Sequence, residues 1–182
     1  EANVTRTWVE RYVVKRDGEV LIDSPRGARD GFTDKRIEVG TGKLRDVGDE
    51  EVEKAFFVPK LCNQCDNPPC VRCCPTGASH KVEGGVVMVK PNRCIGCGAC
   101  IASCPYDARY PHPKGYVDKC TFCIHRVRQG MQPACVAVCP TKCMYFGDLD
   151  DPNSDVSRIL KKRKFKTLIP EAGTKPQLYF LI

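Results

Sequence analysis

No apolar run in the sequence approaches the roughly 18 residues that a membrane-crossing helix needs. No charged leader followed by an apolar stretch opens it either. With Glu1 in first place and no initiator Met, the start reads as processed or shortened. A pairing of nucleophile and base is missing. So is a C-x3-C-x2-C run, the three-cysteine pattern that would leave one iron open to substrate, and both gaps argue against a cluster enzyme. The single Trp, Trp8, lies in a strand-like stretch and reads as core rather than as a functional aromatic. None of the three histidines directly follows a C-x-x-C pair, which excludes haem attachment of the c type.

What abounds is cysteine, with fourteen in 182 residues. A disulfide scaffold spreads its cysteines among loops of varied length. Here they fall into three blocks, each with a Cys-Pro step, and metal ligation accounts for that better. The second block is the plainest. Residues 94–105 read C-I-G-C-G-A-C-I-A-S-C-P, so Cys94, Cys97 and Cys100 recur at three-residue steps and Cys104 follows before Pro105. This is the C-x2-C-x2-C-x3-C-P run of a cubane 4Fe-4S site. A two-residue loop brings successive thiolates to neighbouring irons. Gly96 and Gly98 supply the unusual φ values such a loop needs and keep side chains off the cluster. Backbone N–H groups can then point at the sulfurs. Cys104 is too far along to close the same cube easily, and in two-cluster ferredoxins that fourth cysteine serves the neighbouring cluster. Pro105 is expected to stop a short helix carrying Cys100 and Cys104. A structural zinc site would use separated C-x-x-C pairs or a Cys/His mixture, which tandem triplets do not suit.

The first block follows C-x2-C-x4-C-x3-C-P, with Cys62, Cys65, Cys70 and Cys74 as ligands and Pro68-Pro69 stiffening the wider loop. Cys73 fits no ligand spacing and reads as a small buried residue. The third block pairs Cys120 and Cys123 with Cys135 and Cys139 across an eleven-residue insertion. That insertion holds His125, Arg126 and Arg128. His125 could donate to a cluster sulfur or brace the loop. Cys143 sits where the first two blocks carry Ala78 and Ala108, and reads as packing near a cluster.

The formal charge is +7. Bound thiols are deprotonated, so twelve thiolates around three oxidised cubane cores would bring the sum to about +1. The basicity therefore balances clusters and is not a nucleic-acid footprint.

Along the chain, residues 7–14 read as a strand, Asp17-Gly18 as a hairpin turn and residues 19–22 as its return. Residues 23–53 are polar and Gly-rich and read as a surface loop or insertion. Residues 86–89, after Gly84-Gly85, read as a hairpin strand. Residues 62–78 and 94–108 form an internal repeat. Ser154 is a candidate N-cap for a helix with Val156, Ile159 and Leu160 on one face. The basic run 161–164 at its end suits the helix dipole, with an acidic partner as the second reading. Residues 177–182 read as a closing strand. The expected fold is α+β: tandem bacterial-ferredoxin-like 4Fe-4S domains with an N-terminal hairpin and a C-terminal helix/strand extension. The expected divisions are 1–54, a hairpin with its insertion; 55–115, a two-cluster ferredoxin-like domain; and 116–182, the third block with the extension.

Longer motifs carry a resemblance. They are L-C-N-Q-C-D-N-P-P-C (61–70), C-P-T-G-A (74–78), R-C-I-G-C (93–97), C-P-Y-D-A-R (104–109), K-C-T-F-C-I-H-R (119–126), P-A-C-V (133–136), F-G-D-L-D-D-P-N-S (146–154) and P-E-A-G-T-K-P (170–176). Over roughly residues 55–182 the chain resembles the electron-transfer subunit of molybdopterin oxidoreductases that reduce polysulfide, tetrathionate, dimethyl sulfoxide or arsenate. Related subunits serve some formate dehydrogenases, hydrogenases and quinone-linked respiratory complexes. The resemblance implies a ligand crossing. Cys62, Cys65 and Cys70 would take Cys104 as fourth ligand, and Cys94, Cys97 and Cys100 would take Cys74. Such subunits usually carry four cysteine blocks, and here none precedes Cys62. Cys120, Cys123 and Cys135 would then want a cysteine from an earlier block, with Cys139 serving a fourth cluster. Alternatively the third site uses Cys139 or holds a 3Fe-4S cluster. Residues 5–14 resemble the strand that follows the family's first block, which favours a missing N-terminal segment over a natural three-cluster member.

The function so implied is a one-electron wire that transforms no substrate. Its partners would be a molybdopterin or other catalytic redox subunit and an integral membrane quinone-reactive subunit or cytochrome. Its place would be peripheral to the cytoplasmic membrane of a prokaryote, on the periplasmic face. The rivals are a freely diffusing polyferredoxin, expected to be more acidic and without the terminal extensions, and a zinc-stabilised scaffold module.

Overall fold

The structure, a computed structural model, describes residues 6–23, 35–38, 44–46 and 51–182. The chain divides into two compact units, Glu1–Cys62 and Asn63–Ile182.

The first unit is an antiparallel sheet. Strand β1 (Trp8–Lys15) turns through Asp17-Gly18 into β2 (Val20–Asp23). Gly18 holds φ +86°, which the turn requires, and its N–H donates to Lys15 O at 2.9 Å. Strands β3 (Lys35–Glu38), β4 (Leu44–Asp46) and β5 (Val52–Lys60) complete the order β4-β3-β2-β1-β5. The loop expected over residues 23–53 therefore contains two strands and the start of a third. Sequences such as K-R-I-E and L-R-D have little β-propensity of their own, and it is pairing to β2 that makes them strands. Val13 and Leu21 are buried in the sheet. Trp8 is only half-buried, and its indole N–H donates to Glu10 Oε1 at 3.3 Å. Glu10 also accepts from the Tyr12 hydroxyl at 3.0 Å, and the Tyr12 ring stacks on Phe56, its cross-strand partner, with centroids 5.4 Å apart. Arg11 faces Asp23 in register and pairs with it at 2.8 Å.

In the second unit the order helix then hairpin occurs twice. Helix α1 (Pro69–Arg72) leads to β6 (Ser79–Lys81) and β7 (Val87–Val89). Helix α2 (Ala99–Ala102) leads to β8 (Arg109–Pro111) and β9 (Val117–Lys119). Cys70, Val87, Cys100 and Val117 form the core, with Val71, Cys73, Cys94 and Ile101 packed on it. Helix α2 ends at Ala102, capped by Ser103, so Cys104 lies beyond the helix and Pro105 is not what stops it.

Helices α3 (Ile124–Val127) and α4 (Ala134–Ala137) belong to the third block. Helix α5 (Asp155–Lys162) is capped by Ser154, whose Oγ accepts from Ser157 N–H at 3.1 Å. Strands β10 (Phe165–Lys166) and β11 (Phe180–Leu181) pair antiparallel. Between these strands, residues 174–177 strap the first cysteine loop. Asp66 N–H donates to Lys175 O at 2.8 Å, Asn67 N–H to Thr174 O at 2.9 Å and Gln177 N–H to Asn63 O at 2.8 Å. Among the described residues, no helix is long and apolar enough to cross a membrane.

Candidate metal centre

None of the fourteen cysteines forms a disulfide. In the second block, the loop carrying Cys94 and Cys97 lies on the turn of the β8–β9 hairpin. A Cβ at Gly96 would meet Gly115 O at 2.7 Å, and φ there is +70°. Gly98, at φ +76°, starts α2 and brings Cys100 inward, while Cys97 stays exposed. Val117 N–H donates to Cys94 Sγ at 3.4 Å. In the first block, Cys65 and Cys70 are buried and Cys74 Sγ accepts from Ser79 N–H at 3.3 Å. In the third block, Phe122 and Cys123 take φ values of +57° and +47°, and Phe122 N–H donates to Cys120 Sγ at 3.4 Å. Ala134 N–H donates to Cys123 Sγ at 3.5 Å, which closes the insertion, and the Cys135 thiol feels both Cys123 and Cys139.

The thiols differ in acidity for reasons visible around them. Burial pushes Cys74 up, but the Ser79 N–H and the Thr76 hydroxyl outweigh it and hold the thiol below its ordinary value. Burial raises Cys100, with the Arg109 cation working against it. Burial also raises Cys135. Cys139 is held down to about 7, first by the Thr141 hydroxyl and then by the Cys143 N–H.

Several residues stand other than as expected. His125 is exposed, and Arg126 braces the insertion, its Nε donating to Gln132 O at 2.9 Å. Cys143 is exposed rather than packed inward, with its Sγ 3.7 Å from Cys139 Sγ. Cys73 is half-buried, 3.3 Å from Ser103 Oγ.

Three polar residues escaped the cysteine pattern. Gln64 Oε1 accepts from Val87 N–H at 2.9 Å, and its Nε2 donates to Cys120 O at 3.2 Å. Lys119 donates through Nζ to Val87 O and, at 2.7 Å, to Cys120 O. The two side chains thus close a ring that pins the first block, β7 and the third block together. Arg109 donates to Cys70 Sγ at 2.9 Å. Such residues are found only through partners far away in sequence; the polar residues beside cysteines were the one local signal.

The donor set fits an iron–sulfur cluster. Sulfurs in all three blocks accept backbone N–H groups, as bound thiolates and sulfides do. Asn63 is 2% exposed, and neither its Nδ2 nor its Oδ1 has a partner among the described residues. A cluster sulfur beside this loop would accept from that amide. Among the described residues, no three of His, Cys, Asp and Glu stand close enough to hold one metal ion. Ligands of a cubane bind separate irons and so stand farther apart than the ligands of one zinc.

Residues 53–149 match the family described as a 4Fe-4S dicluster domain. The chain belongs to that family. Its cofactor class is 4Fe-4S, carried on a ferredoxin-like body of mixed helix and strand. The dicluster chain is 42% identical over 149 residues to a subunit of the tetrathionate reductase of Salmonella typhimurium, covering 80% of this chain and 59% of that one. It is 48% identical over 124 residues to a chain of the polysulfide reductase of Wolinella succinogenes, covering 66% and 64%. It is 36% identical over 177 residues to an arsenate respiratory reductase iron–sulfur subunit of a Shewanella species, covering 70% and 76%. The chain thus spans about three fifths of the first of these relatives.

Proposed function

We propose that this chain is an electron-transfer subunit, relaying single electrons between a catalytic subunit, of molybdopterin type, and a membrane quinone-reactive subunit or cytochrome. Bound 4Fe-4S clusters supply one-electron storage and transfer. The chain supplies the thiolates, the N–H donors that point at them and, around Cys70 and Cys100, an apolar core. Cys62, Cys65, Cys70 and Cys104 would hold one cluster, and Cys94, Cys97, Cys100 and Cys74 a second. Cys120, Cys123, Cys135 and Cys139 would serve a third. The two helix–hairpin units would form a tandem two-cluster pair, with the N-terminal sheet and the third block with its extension as flanking parts. The subunit would sit peripherally on the membrane.

The observation that carries this reading is the recurrence, in three blocks, of cysteine sulfurs met by backbone N–H groups. The relatives support it, since their names are those of reductase components. Iron and acid-labile sulfide analysis, with low-temperature paramagnetic resonance on the dithionite-reduced protein, tests it. Three clusters would give about twelve irons and as many sulfides per chain, and brown protein. Colourless protein holding zinc would overturn the reading.

A further inference from the structure

Between the first two cysteine blocks lies a cation that ligation alone does not call for. Arg109 begins β8 and is 5% exposed. Its Nη2 donates to Cys70 Sγ at 2.9 Å and to Ser79 Oγ at 2.8 Å. Cys70 lies on α1 and belongs to the first triplet. Cys100 lies on α2 and belongs to the second, and the charge of Arg109 acts on its thiol as well. Cys70 and Cys100 are each 8% exposed and share one core with Val87 and Val117. One buried charge therefore touches a ligand of one triplet and acts on a ligand of the other, packed in the same core.

We propose that Arg109 is a shared positioning residue that raises the reduction potentials of both the cluster held through Cys70 and the cluster held through Cys100. The inference rests on the relay reading, in which these triplets serve separate clusters. Reduction adds one electron, hence one negative charge, to a cluster, and no bond forms or breaks. A cation at a ligand sulfur favours that reduced form, and does so more strongly where water is excluded. Arginine keeps its charge at every working pH, and its planar fork is held by a sulfur and a hydroxyl together. Lysine offers a point charge without the fork. A purely structural Arg109 would tie α1, β6 and α2 together and leave the potentials alone.

A redox titration of the full chain separates the two. Dithionite and mediators set the poise, and paramagnetic resonance reads each cluster in the parent, R109Q, R109K and S79A. In R109Q the reduced-to-oxidised ratio of both clusters should fall about tenfold at a fixed poise, equivalent to about 59 mV for a one-electron couple. The third centre should not move. R109K should shift both clusters the same way by less, and S79A, which removes one anchor of the fork, by less again. If R109Q fails to load iron, R109K and S79A carry the test. Loaded variants whose two midpoints match the parent, or of which only one moves, would overturn the proposal. A parent with no reduced-cluster signal would instead defeat the relay reading itself.

Discussion

At Gly96 a side chain would need space that the Gly115 carbonyl already occupies, and a φ of +70° besides. Gly98 has a similar φ of +76° but nothing within 4 Å of its would-be Cβ. Both changes to Ala carry backbone strain of about 1–2 kcal/mol. Gly96→Ala adds an overlap of about 1–3 kcal/mol. Gly96→Ala should therefore lose the Cys94 cluster, read as iron content, while Gly98→Ala loads normally with a modestly lower melting temperature. Tyr12 makes a second residue-scale prediction. Burial, then the charge of Glu10, then the hydrogen bond to it push Tyr12 up to about 12 from 10.0. The unfolded chain then ionises first, so this stabilisation is intact below pH 10 and is lost as pH climbs towards 12. Fluorescence of the lone Trp8, followed against pH, should show that loss, and Tyr12→Phe should erase the step. The family was legible in the cysteine spacing because that spacing is local. Gln64 was not, because its partners Val87 and Cys120 lie 23 and 56 residues away. Gln64→Leu strands a buried N–H and should cost about 1–3 kcal/mol in a urea titration.

The helices of the cysteine blocks are one turn long, which is too short to stand without tertiary support. Helices α1 and α2 take that support from the core of Cys70, Val87, Cys100 and Val117. Helix α5 is different, since it has eight residues and its own cap. Ser154→Ala should cost about 0.5–2 kcal/mol in thermal unfolding. Ser154 was legible from the sequence because capping is a local device. Strands β3 and β4 were not, because their sequences do not alternate and a neighbouring strand decides their state. Strand β5 contains Pro59, which marks a sheet interior as implausible, yet β5 is an edge strand and tolerates it.

For the whole molecule, the family was written in the cysteine spacing, whereas the five-stranded first unit had only its hairpin in plain view. The proposed crossing of ligands between blocks makes a prediction of its own. Cys74→Ser should abolish the same resonance signal as Cys97→Ser. Cys104→Ser should abolish the one lost in Cys65→Ser. If instead each block loses its own signal, the ligands do not cross.

Lys119 is 1% exposed, and among the described residues its ammonium is met by carbonyls and no carboxylate. A newly made chain that closed before receiving its anionic cores would imprison that charge uncompensated. Closure and cluster loading should therefore be coupled. In cells starved of iron the nascent polypeptide should stay open and fall to quality-control proteases, so that its abundance tracks iron supply even when its message does not.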